Sequence, residues 1–195
     1  MTRTLAALLL LVPAASASTF LDRSLGEWLA DLESGKTPKV RRAAAFALSR
    51  MGLLGRDAVA GLAKRARDDD DASVRDMAAQ ALGEIVLASP GHVGVLWDRA
   101  GSILEKRCRE EKDPRAKRSL VYALGSFGPE AKGAAEALRD ALGDKAAPVR
   151  QNAAWALGRL GAKLDAASVR AIAERLRDDS ALVRRDAAQA LGHAG

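Results

Sequence analysis

A ten-residue segment recurs five times along this 195-residue chain, and it limits the possible folds more than any other feature. The copies are VRRAAAFALS from Val40, VRDMAAQALG from Val74, AKRSLVYALG from Ala116, VRQNAAWALG from Val149 and VRRDAAQALG from Val183. They align without gaps, and their starts lie 34, 42, 33 and 34 residues apart. Within each copy, apolar residues fall at offsets 0, 4, 7 and 8, the spacing of a helix with one buried stripe. Small residues at Ala44, Ala78, Ala153 and Ala187 let a neighbouring helix come close. Glycine follows at offset 9 in four copies, with Ser49 in the first, and again at offset 12 as Gly52, Gly128, Gly161 and Gly195. The later glycine suits the left-handed residue that ends a helix. The second copy has Val86 there, so its helix is expected to run to about Ala88, where Ser89-Pro90-Gly91 stops it.

Each first helix is followed by a second: AVAGLAKRAR from Ala58, VLWDRAGSILEKRCR from Val95, AAEALRDALG from Ala134 and VRAIAERLR from Val169. The unit is a helical hairpin, and its apolar stripes are buried only when neighbours stack. Ser24 to Ser34 predicts a capping helix, with Ser24 and Glu27 in capping-box spacing and Trp28, Leu29 and Leu32 over the open end. Composition agrees: aromatics are 4%, and much of the 48% apolar content is Ala and Leu, which favour close-packed helices over strands. The expected fold is an all-α, right-handed α-solenoid (superhelix) of stacked helical hairpins with about nine or ten helices. Residues 18–35 form its N-terminal capping helix region, and 36–195 form four full hairpins plus a first helix of a fifth. That last helix lacks a second, so Val183, Ala187 and Leu191 are expected without their hairpin partner. Fraying of residues 180–195, or self-association through this uncapped C-terminal helix, is the consequence.

The first 17 residues read as a signal peptide. Arg3 supplies a positive start, Leu5 to Val12 is an apolar run of 8, and Ala15-Ser16-Ala17 places small residues before a cut between Ala17 and Ser18. The run is too short to span a bilayer, which takes about 20 apolar residues, so the mature chain has no membrane span. Removing Arg3 lowers the net charge from +6 to +5. The expected location is exported, periplasmic or extracellular.

Several chemistries are excluded or unsupported. A lone Cys108 forms no intrachain disulfide framework and no Cys-rich zinc site. Two histidines, His92 and His193, make no multi-histidine metal centre. There is no Walker-type phosphate loop and no G-x-S-x-G. The acidic run Asp68 to Asp71 lacks the glycine and terminal Glu of a calcium loop and suits a helix N-terminus instead. No catalytic residue, cofactor or metal ligand is expected. Cys108 aligns with Ala66, Leu142 and Leu176 and reads as an inward position. Trp28, Trp97 and Trp155 read as packing, although Trp97 sits beside the insertion Ser89 to Gly94, where an exposed Trp makes a binding anchor.

The pattern D-x-x-x-x-V-R-x-x-A-A-x-A-L-G resembles HEAT repeats, specifically the short phycobilisome-lyase HEAT-like (E-Z type) repeats, over residues 24–195. Members of that family include scaffolds, bilin lyases and regulators. An acid stands five residues before the start of the last four repeats (Asp69, Glu111, Asp144, Asp178) and a base one after each start (Arg75, Lys117, Arg150, Arg184, with Arg41 in the first). These resemble the ladder that ties neighbouring HEAT hairpins together. In this architecture the second helices line the concave face. Their ends, LAKRAR, LEKRCR and IAERLR, align Lys64 with Lys106 and Arg65 with Arg107 and Arg175 as a stripe able to hold an acidic partner. The same cations also suit helix C-termini. The third hairpin breaks the stripe with LRDALG, which argues against a continuous nucleic-acid groove. The expected function is an exported, non-enzymatic scaffold that mediates protein–protein interaction through its concave face. Two alternatives stand beside it: a lyase-like enzyme or enzyme subunit, and polyanion binding by the basic stripe. Export is an odd setting for bilin-lyase chemistry, and the repeated His-Glu pairs of the HEAT-like deoxyhypusine hydroxylase do not occur.

Overall fold

The computed structural model describes residues 19–161 and 164–194; the expected signal peptide, its Ala17–Ser18 junction and Gly195 lie outside the described residues. Ten α-helices occur among the described residues: α1 (Leu25–Ser34), α2 (Pro38–Arg50), α3 (Val59–Asp68), α4 (Ala72–Leu87), α5 (Val93–Glu110), α6 (Pro114–Ser126), α7 (Ala135–Leu142), α8 (Ala147–Leu160), α9 (Ala166–Glu174) and α10 (Ala181–Ala194). Short 3₁₀ turns join several of them. Helices α2, α4, α6, α8 and α10 are the five repeated segments. Each packs on the next and forms one layer. Helices α3, α5, α7 and α9 form the second layer, with α1 at its start against α2 and α3. The result is an α-solenoid of helical hairpins.

Local sequence explains the boundaries. Ser24 accepts from the Glu27 N–H at 3.3 Å while Glu27 accepts from the Ser24 N–H at 2.8 Å, completing the capping box of α1. Side chains of Thr37, Asp71, Asp113 and Asp165 cap α2, α4, α6 and α9 by accepting a first-turn backbone N–H, without the reciprocal bond. Helix α4 ends at Leu87 with Ala88 as its cap, so the second repeat does run on to the Ser-Pro-Gly stop. Gly52, Gly128 and Gly161 have φ of 57°, 56° and 59°, values a side chain resists.

The offset-9 glycines are contact points between layers of repeats. A Cβ on Gly83 would lie 2.5 Å from Tyr122 Cε1, one on Gly125 2.6 Å from Ala156 Cβ, and one on Gly158 2.8 Å from Ala190 Cα. The following first helix approaches as closely as it does because nothing projects there.

Three features depart from the sequence reading. First, Thr19–Phe20 pairs antiparallel with Arg23–Ser24 through a two-residue turn at Leu21 and Asp22, whose φ are 51° and 59°. This hairpin holds the N-terminal end: the Trp28 indole N–H donates to the Phe20 carbonyl at 3.1 Å. Second, Leu176 is 42% exposed, not inward, because α9 stops at Glu174 and the chain tightens into a 3₁₀ turn over Arg175–Arg177. Third, Val183 and Ala187 are fully buried, since α10 packs on α8, α9 and the 175–177 turn. These positions face the preceding hairpin, so they do not depend on a second helix that would follow. Leu182, at 51% exposure, is the open apolar residue of α10.

Candidate functional site

The repeated charges come together at one edge of the solenoid. Arg41 meets Asp69 (2.7 and 2.8 Å), Arg75 meets Glu111 (2.8 and 3.1 Å), Lys117 meets Asp144 (2.8 Å) and Arg150 meets Asp178 (2.8 and 2.8 Å). Each base thus joins the acid of the following repeat. The three arginines do so with two parallel N–H donors, the strongest guanidinium–carboxylate geometry. The same guanidiniums also reach back to their own inter-helix loop: Arg41 donates to the Gly35 carbonyl, Arg75 to Asp69 and Arg150 to Asp144. Arg184 keeps only this second contact, to the carbonyls of Asp178 and Asp179 at 2.8 and 3.0 Å.

Asp69 and Glu111 are buried, Asp144 and Asp178 partly so, and all four are held ionised. Burial raises the Glu111 carboxyl, but hydrogen bonds from Arg75, from the Asp113 N–H and from Arg107 outweigh it and bring the group to about 2. Asp69 and Asp144 are lowered on balance against burial in the same way, by Arg41 and Lys117 with a backbone N–H each. Arg150 lowers Asp178, against burial.

The second-helix arginines serve the same edge. Arg65 donates to the Leu32 carbonyl at 2.7 Å and to the Glu33 carbonyl, and lies 3.4 Å from Asp69. Arg107 holds Glu111 at 2.8 Å. Arg175 donates to the Leu142 carbonyl at 3.3 Å and lies 3.8 Å from Asp178. The aligned stripe is therefore tied to carbonyls and carboxylates of the solenoid, whereas Lys64 and Lys106 remain exposed. The third hairpin has Ala141 at the arginine position and Lys117 as its base, which leaves an open depression beside Lys112, Asp144 and Lys145.

Other singled-out residues are structural. Trp97 is half-buried, set edge-on to Phe127 with centroids 5.1 Å apart and lying over Gly101. Within the acidic run, Asp68 pairs with Arg67 at 2.7 Å and Asp71 caps α4. Among the described residues no group of His, Cys, Asp or Glu is arranged to hold a metal ion, and no helix is long and apolar enough to cross a membrane. Cys108 is 1% exposed, and burial pushes its thiol up to about 12. The folded chain should therefore resist iodoacetamide at pH 8 and take up one equivalent in denaturant, as read by intact mass.

The outer face of the first-helix layer carries a different pattern. Offset 6 places Phe46, Gln80, Tyr122, Trp155 and Gln189 in a row across the five helices. Tyr122 and Trp155 stack with centroids 5.3 Å apart and planes 19° from parallel. The Arg159 guanidinium stands 5.8 Å from the Trp155 ring. Shallow depressions flank the pair. One is bounded by Gln80, Arg118, Gln151 and Asn152, the other by Arg159, Gln189 and His193.

A family model described as HEAT repeats matches residues 25–125 and again 101–192. The chain belongs to the HEAT-repeat family. Solved structures show the same architecture. An engineered protein superposes with a TM-score of 0.73 at 23% identity, covering 87% of this chain and 78% of that one. A designed armadillo repeat protein in complex with the peptide (KR)4 gives 0.70 at 20% identity, with 86% and 80% covered. The CpcE–CpcF complex of phycocyanin lyase from Nostoc gives 0.59 at 19% identity, with 85% and 96% covered. No curated protein matches the sequence.

Within this HEAT chain the offset-6 row escaped the sequence reading. Its members differ in type, so the repeat alignment alone does not single it out. The available signal was the glycine three positions later: Tyr122 lies over Gly83 and Trp155 over Gly125.

Proposed function

We propose that this HEAT protein is an exported, non-enzymatic scaffold that binds another protein on a preformed face of its stacked helices. The observation that carries the reading is that the repeat acids are each held by a base of the fold. Asp69, Glu111, Asp144 and Asp178 are each engaged by a base of the preceding repeat, and burial keeps Cys108 a thiol. Groups fixed in one protonation state serve rigidity better than acid–base chemistry. A rigid face loses little entropy when a partner docks. Designed armadillo relatives built for modular peptide recognition share the architecture and support a polypeptide partner. The apolar run and the small-residue triplet before Ser18 support export. Polyanion binding gains less support, because Arg65, Arg107 and Arg175 already serve the solenoid.

The test has two parts. Expressed from its full reading frame in a bacterial host, the chain should appear in the exported fraction with Ser18 as its first residue by mass. Immobilised as residues 18–195, it should retain one polypeptide from an envelope and secreted extract at near-equal amount in ~150 mM salt. An uncleaved cytoplasmic chain would contradict export. Retention of nothing, or only of heparin-like or nucleic material that modest salt removes, would contradict the scaffold.

A further inference from the structure

Charge on the first-helix face is unevenly satisfied. Its carboxylates are engaged: Asp76 accepts from Ser119 at 2.6 Å, Glu84 from Gln80 at 3.0 Å, and Asp186 from Gln151 at 2.9 Å and Arg185 at 2.6 Å. Four of its exposed arginines are not. Arg42, Arg50, Arg118 and Arg159 are exposed, and none has a carboxylate partner among the described residues. In the second-helix layer the aligned Arg65, Arg107 and Arg175 are instead tied to carbonyls and carboxylates of the fold.

Arg118 and Arg159 flank the stacked Tyr122–Trp155 pair, one in each depression. The rings are half-buried on glycines and cannot withdraw further, so they offer a fixed apolar platform. The Asn152 amide is anchored to the Arg118 carbonyl at 3.1 Å, and Gln80 and Gln189 stand on either side of the aromatic pair in the row. The surface is thus an apolar centre between guanidiniums that have no carboxylate partner among the described residues, edged by side-chain amides. We propose that the face formed by Gln80, Arg118, Tyr122, Asn152, Trp155 and Arg159 docks an extended acidic segment of a partner protein. Carboxylates of the segment meet the two arginines, and a ring or proline between them packs on the Tyr122–Trp155 pair. First helices spaced by about 8–10 Å make the span from α4 to α8 about five or six residues of extended chain at roughly 3.3 Å each.

The inference rests on the protein-binding reading and specifies its surface. The probe is the peptide (Glu-Pro)4, which is acidic and already extended, labelled with fluorescein and titrated with residues 18–195. (Lys-Pro)4 is the charge control. Saturable binding of (Glu-Pro)4 and none of (Lys-Pro)4 is expected. Trp155→Ala and, separately, Arg118→Ala/Arg159→Ala should each weaken it by about tenfold or more. The arginine pair is exposed, so that variant keeps its fold, as circular dichroism will show. Lys64→Glu/Lys106→Glu, on the other layer, should bind as wild type. Failure of (Glu-Pro)4 to bind, equal binding of both peptides, or sensitivity only to the lysine variant would overturn the assignment. The extract experiment separates the two levels: a partner still retained by the Arg118→Ala/Arg159→Ala chain overturns this face but leaves the scaffold standing, whereas no retention by wild type overturns the scaffold itself.

Discussion

Glu111→Ala should lower the stability of the chain by about 3–5 kcal/mol, the range seen when one partner of a buried ion pair is removed. Glu111 accepts from Arg75, Arg107 and the N–H groups of Lys112 and Asp113, all at 2.8–3.1 Å, and its side chain is 1% exposed. Its loss strands two guanidiniums at the junction of the second and third repeats and frees the loop that starts α6. For a domain of this size that corresponds to about 10 °C in Tm. Glu111→Gln, which keeps part of the hydrogen bonding, should lose less. Asp98→Ala, at an exposed position, should stay within about 0.5 kcal/mol. Thermal and urea unfolding followed at 222 nm check all three. A Glu111→Ala chain as stable as the Asp98→Ala chain would show that this junction is held by apolar packing alone.

Acid should dismantle the same edge. The Glu111 carboxyl lies at about 2 in the folded chain against its ordinary 4.5, and Asp69, Asp144 and Asp178 are lowered too. A depressed carboxylate stabilises the fold fully above its unfolded value, and that contribution is lost as pH falls through the folded value. For Glu111 the contribution is about 3 kcal/mol, lost between roughly pH 4.5 and pH 2. The stability of the chain should therefore be nearly flat from pH 7 to pH 5 and fall steeply below pH 4.5. Glu111→Ala should show a shallower fall, because one of these titrations is gone. Urea midpoints at half-unit pH intervals measure both slopes, and parallel curves for the two chains would refute the assignment.

The fold was legible because its signal is repeated. A single segment such as AKRSLVYALG is ambiguous, but five aligned copies fix the helix, its buried stripe and its packing partner together. The ladder residues were legible for the same reason, since position in the repeat marks them. Less legible was anything carried by one copy. The Leu21–Asp22 turn lacks the Asn-Gly or Asp-Gly pair that announces a two-residue hairpin. The second-helix stripe was read as surface because alignment gives periodicity but not reach. An arginine side chain spans far enough for Arg65 to cap the carbonyls of α1 and for Arg175 to cap Leu142. Trp155 was taken as packing, and half of it is; its other half completes a stacked pair visible only once α6 and α8 lie side by side.

The repeat charges are structural, so the helix faces rather than the ladder are available to a partner. A double-mutant cycle on Arg150 and Asp178, with each changed to alanine and then both, tests this directly by urea unfolding at pH 7. The account predicts a coupling of about 2 kcal/mol or more between the two positions, with the double variant less destabilised than the sum of the single changes. Additive losses, with coupling near zero, would mean that Arg150 and Asp178 do not hold neighbouring repeats together, and would return the ladder arginines to the list of groups free to bind a ligand.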